Sequence, residues 1–216
     1  MFENRADAAR QLARALRAYQ GKNPLVLAIP RGAVPMAQLI ATELGGAFDV
    51  VLVRKLPAPG NPEFAIGAVD ENGWTYLAPF VASAGISQRY LDVARQSELA
   101  VMQRRRARYT PLRAPLLPTG RDVIVVDDGL ATGATMIAAL HAVRAGHPKQ
   151  LICAVPVAAQ DACALVRPLC DELICLEIPP DFHAVGQFYR QFDQVSDAEV
   201  EAALAHRPPP AVRRPA

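Results

Sequence analysis

Long apolar runs are missing from this 216-residue chain. None approaches the ~18 residues that a membrane-spanning helix needs. The opening segment MFENRADAARQLARAL has no apolar secretory core, and Glu3 and Asp7 argue against a transit peptide, so the expected location is the cytoplasm. Cysteine is sparse: Cys153, Cys163, Cys170 and Cys175 form no CxxC pair, and no histidine completes a zinc spacing. They read as buried free thiols, which pack as small hydrophobes. An excess of one charge sign is also missing; the net charge of +2 neither requires nor excludes nucleic acid. Two common phosphate-binding signatures are absent. GxGxxG does not occur, and Gly129 and Gly133 are neither spaced for a P-loop nor followed by lysine.

What is present suits one domain: 51% hydrophobic residues against 20% charged. Asn4 is placed to cap a helix reaching about Tyr19, with Ala9, Leu12, Leu16 and Tyr19 on one face. Residues 25–29 form an apolar strand, followed by the turn Pro30, Arg31, Gly32 and a helix over 33–44 stopped by Gly45 and Gly46. A second strand is expected over 50–53, with Arg54 and Lys55 at its end. Residues 56–67, LPAPGNPEFAIG, are rich in proline and glycine and predict a long, exposed, mobile loop. Segments 68–70 and 74–77 flank Glu71, Asn72 and Gly73 as a hairpin would. Ser87 caps a long helix that ends in the basic run Arg104, Arg105, Arg106 and Arg108. Cations at that end of a helix favour its dipole, so a solvated helix end is the simpler reading of the run and a polyphosphate or nucleic-acid patch the rival. Strands over 151–155 and 173–176 bracket a helix near 161–166. A short helical turn within 181–192 and a helix over 197–205 follow, and the Pro- and Arg-rich tail from His206 is expected to be disordered. Strands alternating with helices imply an α/β fold, a doubly wound and mostly parallel sheet, with ligands bound at the carboxyl ends of its strands.

Residues 123–136, VIVVDDGLATGATM, carry the most chemistry. Val123, Ile124, Val125 and Val126 read as a buried parallel strand. Asp127 and Asp128 then offer acceptors to sugar hydroxyls. The small-residue turn over 129–135 offers backbone N–H groups and hydroxyls to a phosphate at the positive end of a helix. The pattern resembles the PRPP-binding motif of type I phosphoribosyltransferases. Ile29, Pro30, Arg31, Gly32 and Ala33 resemble that family's pyrophosphate loop, and Val53, Arg54, Lys55 and Leu56 resemble the basic start of its flexible catalytic loop. The match is closest to a bacterial subgroup whose acceptor is unassigned.

The resemblance implies a single domain over 1–205, with an insertion at about 68–110 and a hood at about 178–205. It implies that Asp127 and Asp128 accept hydrogen bonds from the ribose 2′- and 3′-hydroxyls. Backbone amides of Ala131, Thr132, Gly133, Ala134 and Thr135, with the Thr132 and Thr135 hydroxyls, would hold the 5′-phosphate. Arg31 and the Gly32 backbone would contact pyrophosphate, through a non-proline cis peptide, and Lys55 with Arg54 would neutralise it as it leaves. Mg²⁺ would arrive chelated by PRPP, with Asp127 and Asp128 mainly in its outer shell. The implied partners are PRPP and a small-molecule acceptor, with no membrane and no nucleic acid; a homodimer is implied by resemblance only. Alanine at position 131 departs from the hypoxanthine-guanine branch, which carries an acid there, and moves the pattern toward the adenine or orotate type. Phe182, Phe188, Tyr189 and Phe192 could stack on a base in the hood, although core packing is the commoner role of such a cluster. The rival to an enzyme is a PRPP-sensing regulator that binds RNA or DNA through the Arg104 to Arg108 run and the tail. A sugar-phosphate hydrolase or phosphorylase using the same pocket is a third reading.

Overall fold

A computed structural model describes residues 1–112 and 114–205. In chain order the strands are β1 (Leu25–Ala28), β2 (Ala47–Val50), β3 (Val53–Ala58), β4 (Asn61–Asp70), β5 (Thr75–Leu77), β6 (Asp122–Val126), β7 (Gln150–Val157) and β8 (Glu172–Glu177). The helices are α1 (Arg5–Ala15), α2 (Val34–Leu44), α3 (Gln88–Tyr109), α4 (Ala134–Arg144), α5 (Gln160–Val166) and α6 (Asp197–Ala205). Five strands form a parallel sheet in the order β2-β1-β6-β7-β8, and β3-β4-β5 form a separate antiparallel sheet. None of the described helices is long and apolar enough to cross a membrane. The expected disorder of 206–216 lies outside the described residues.

Strand pleating divides the core in two. Val26, Ala28, Ile124, Val126, Ile152 and Ala154 face the side covered by α1 and α2. Leu25, Leu27, Val123, Val125, Leu151, Cys153 and Val155 face the side covered by α4 and α5. All five residues of β6 are buried, as a central parallel strand requires. Local signals set several helix ends. The Asn4 side chain accepts the N–H of Asp7 at 3.0 Å, Ser87 accepts that of Tyr90 at 3.3 Å, and α2 stops at Gly45 in the left-handed region. The four cysteines are free thiols; burial pushes that of Cys175 up to about 12.

Two expectations are corrected. The second strand is β2 at Ala47–Val50, not 50–53. Asp49 disguised it, because a charge is unusual in a buried strand; its carboxylate is satisfied by the N–H groups of Val50 and Leu116 at 2.8 and 2.7 Å. Residues 56–67 are not an extended loop but most of a hairpin, β3 turning into β4 at Gly60 with φ of +74°. Proline is tolerated because β3 is an edge strand and the pairing register shifts on both sides of Pro57. Leu56 and Ile66 are fully buried in one core with Met102 and Tyr109 of α3, while Val53 and Ala68 join the α4 side. The hairpin is thus held between two helices. The excursion between β2 and β6 carries β3, β4, β5 and α3.

Ile124 has no exposed surface at the centre of the sheet. Ile124→Ala is expected to lower unfolding free energy by about 2–5 kcal/mol in urea titrations, through lost transfer energy and a residual cavity. Leu117→Ser, at a residue 74% exposed, should stay within about 0.5 kcal/mol of the parent.

Candidate active site

β1 and β6 are neighbours, but the chain leaves β1 for α2 on one face and β6 for α4 on the other. Their following loops part and open a crevice at the carboxyl end of the sheet. One wall is Ile29, Pro30, Arg31 and Gly32, with the Pro30-Arg31 peptide cis. The other is Asp127, Asp128 and the turn that leads into α4. Leu130 anchors this turn to the next strand: its N–H donates to the Val157 carbonyl and its carbonyl accepts from Ala159, both at 2.9 Å. Gly133, with φ of +75°, then allows the chain to enter α4 directly. The cleft measures about 650 Å³ and is roofed by residues 183–186 and Phe192.

The loops approach as closely as glycine permits. A Cβ on Gly32 would lie 2.2 Å from the Asp128 carboxylate. A Cβ on Gly129 would lie 2.7 Å from a Val185 methyl, so the roof rests directly on the turn. Gln187 stiffens the roof by accepting from the N–H groups of His183 and Ala184 and donating to the Asp181 carbonyl.

Charge is organised around the two carboxylates. Oδ1 of Asp127 accepts the N–H of Asp128 at 2.9 Å. Oδ2 of Asp128 accepts Nε and Nη2 of Arg5 at 3.0 and 2.8 Å, and the Arg5 guanidinium lies 3.9 Å over the Phe192 ring. The Tyr189 hydroxyl donates to the Asp128 carbonyl at 2.7 Å. Burial and the neighbouring Asp128 charge hold the Asp127 carboxyl well above the usual carboxylate range; Lys55 and Arg5 oppose that shift. Oδ2 of Asp127 and Oδ1 of Asp128 accept no hydrogen bond among the described residues. No three metal-ligating side chains converge among them either.

The cleft brings together Arg31, Gly32, Lys55, Asp127, Asp128, Ala131, Thr132, Gly133 and Thr135. Two residues named from sequence, Arg54 and Ala134, are not among the residues that line this cleft. Arg54 donates to Glu98 of α3 at 2.6 Å and lines an adjoining cavity with Ile29, Pro30, Lys55 and Thr135. The Ala134 side chain is buried in the first turn of α4, and its N–H points to the Thr132 hydroxyl at 3.4 Å. Sequence reasoning missed Arg5, whose only signal was one more arginine in a helix rich in them. Of the four aromatic candidates, Phe192 lines the cleft. Tyr189 is buried against Phe2 with ring centroids 5.5 Å apart, and Phe182 and Phe188 pack on each other at 5.4 Å. Most of the basic run of α3 is engaged within the chain: Arg105 faces Asp197, Arg106 pairs with Glu71, and Arg108 pairs with Glu201.

A family model described as the phosphoribosyl transferase domain matches residues 2–193. A protein of Mycobacterium tuberculosis strain H37Rv, provisionally named a phosphoribosyl transferase, is 42% identical over 210 residues, covering 96% of this chain. The counterpart from strain CDC 1551 / Oshkosh matches equally. The chain spans only 47% of the length of these curated relatives. A crystal structure of a Thermus thermophilus protein shares 44% identity and superposes with a TM-score of 0.79, covering 94% of this chain and 97% of that one.

The raised Asp127 carboxyl has a consequence for stability. The folded chain binds a proton there more readily than the unfolded chain, so ionised Asp127 destabilises the fold at neutral pH. Asp127→Asn keeps the acceptor for the Asp128 N–H and removes the charge. It is expected to raise Tm by a few degrees at neutral pH. The gain should shrink as pH falls through the folded carboxyl's titration, where the parent is itself protonated. Thermal scans across that range check both the sign and the trend.

Proposed function

The chain belongs to the phosphoribosyl transferase domain family, and we propose that it transfers a phosphoribosyl group from PRPP to a nitrogenous small-molecule acceptor with release of pyrophosphate. The observation that carries this reading is the meeting of three differently charged surfaces in one cleft. These are the Asp127 and Asp128 carboxylates, the amide-lined turn at the start of α4, and the loop of Arg31 and Gly32 with Lys55 beside it.

Each surface matches one part of the substrate. Asp127 and Asp128 accept from the two ribose hydroxyls, using the carboxylate oxygens that Arg5 and the backbone leave open. The N–H groups over 131–135 and the hydroxyls of Thr132 and Thr135 take the 5′-phosphate, where the helix dipole adds positive potential. Arg31, the Gly32 backbone and Lys55 meet the pyrophosphate. As the C1–O bond breaks, its electron pair leaves with the pyrophosphate and C1 becomes oxocarbenium-like. The cations stabilise that developing charge, and an acceptor nitrogen donates its lone pair to form the new C1–N bond. The acceptor's surplus proton passes to solvent. The protein supplies no nucleophile. Val185 and Phe192 line the cleft and offer apolar surface that would disfavour water, which otherwise hydrolyses PRPP.

Two acceptor oxygens on adjacent carboxylates suit the outer shell of a hydrated Mg²⁺ that travels with PRPP. When bound, Mg²⁺ supplies neutralisation of the leaving group. Ala131 provides no acid for a purine ring nitrogen, which counts against a hypoxanthine-guanine acceptor; within this reading the acceptor class stays open because no hood residue identifies the base. A cytoplasmic location and a homodimeric assembly belong to the same reading and rest on sequence alone.

Incubation of the chain with PRPP, Mg²⁺ and a panel of purines, pyrimidines and small amines should release pyrophosphate with at least one acceptor. Lys55→Ala should lower kcat by about 100-fold, the scale of losing one group that stabilises a developing anion. Asp128→Asn should also slow the reaction severely. No turnover with any acceptor at high protein concentration would overturn the proposal.

A further inference from the structure

Three of the cations around the cleft face carboxylates. Arg5 is held by Asp128, Arg54 by Glu98, and Arg31 faces Asp197. Asp197 is the one carboxylate of the three that lies outside the stretch matching the family, which ends at residue 193. It opens α6, which packs on α2 and α3 through the buried Val200 and Leu204. Its Oδ2 lies 3.7 Å from Nη1 of Arg31 and its Oδ1 lies 3.7 Å from Nε of Arg105. These separations are too long for hydrogen bonds, and Oδ1 is buried without one. The carboxylate is therefore held between two guanidinium groups by charge alone. The start of α6 is secured separately. Ser196 Oγ accepts the Glu199 N–H at 3.2 Å, and the Glu199 carboxylate accepts the Ser196 N–H and hydroxyl at 2.7 Å each.

We infer that Asp197 is a displaceable counterion for Arg31, a positioning residue that keeps the guanidinium on the α6 side of the cleft until pyrophosphate takes it over. Arg105 retains Asp197 when Arg31 leaves, so the exchange strands no carboxylate. A loosely held, long ion pair suits this role, since a bidentate pair would compete too strongly with the ligand. The basic run of α3 thereby serves the site by anchoring the counterion. The inference rests on the reading of Arg31 as a pyrophosphate ligand.

Calorimetric titration of the full chain with inorganic pyrophosphate in Mg²⁺ buffer tests it. Asp197→Asn removes the competitor and should tighten binding about two- to fivefold, the range expected for losing one half-exposed ion pair. In an Arg31→Gln background the same substitution should change nothing, because the effect acts through Arg31. Arg105→Gln leaves Asp197 wholly to Arg31 and should weaken binding in the parent but not in the Arg31→Gln background. An equal gain from Asp197→Asn in both backgrounds would mark a general field effect and overturn the inference, as would no gain in either. Failure of the underlying reading looks different: Arg31→Gln would bind pyrophosphate as tightly as the parent, or the parent would bind none. Matching melting curves identify the variants that remain folded.

Discussion

Two hydrogen bonds from Arg5 to Oδ2 of Asp128, at 3.0 and 2.8 Å, hold the first helix against the end of the central strand. The Asp128 carbonyl accepts the Tyr189 hydroxyl, and its carboxylate leaves room for no side chain at Gly32. The start of the chain, the loop after β1, the strand end and the roof thus converge on one residue. Because Arg5 and Asp128 are both largely shielded, their charge-assisted bonds resist solvent competition better than a surface pair would. Removing either partner would leave a poorly solvated charge, the costly way to break such a pair. The width of the cleft and the seat of its roof follow from this clamp.

The same clamp shapes the electrostatics. Asp127 and Asp128 are adjacent acids at a strand end, and burial alone would favour protonating one of them. Arg5 and Lys55 oppose that shift without reversing it. Most cations near the cleft are already matched to carboxylates from other layers of the fold. That arrangement spares the empty cleft the repulsion of clustered guanidinium and ammonium groups.

Residues 123–135 were legible because strand, acids, turn and helix entry are contiguous. A β-branched run specifies a buried strand, and glycine at 133 permits the left-handed residue that starts α4. Helix caps at Asn4 and Ser87 were legible for the same reason, since a cap and its N–H lie three residues apart. The hairpin of β3 and β4 was hidden by its prolines, and Pro57 is tolerated only because β3 is an edge strand. β2 was displaced by Asp49, whose burial depends on the N–H of Leu116, 67 residues further on.

Arg54 and Lys55 make the limit plain. The sequence marks both as cations at a strand end, and only packing against α3 decides that one meets Glu98 while the other meets the cleft. Arg5 is similar, with a partner 123 residues away that no local pattern names. By itself the sequence determined the chemistry of the turn and the alternation of the sheet, because those follow from backbone dihedrals and from polarity over a few residues. The tertiary structure alone decided which cation answers which carboxylate. Ion pairing depends on distance and solvent exclusion, and both are set only when the layers have packed.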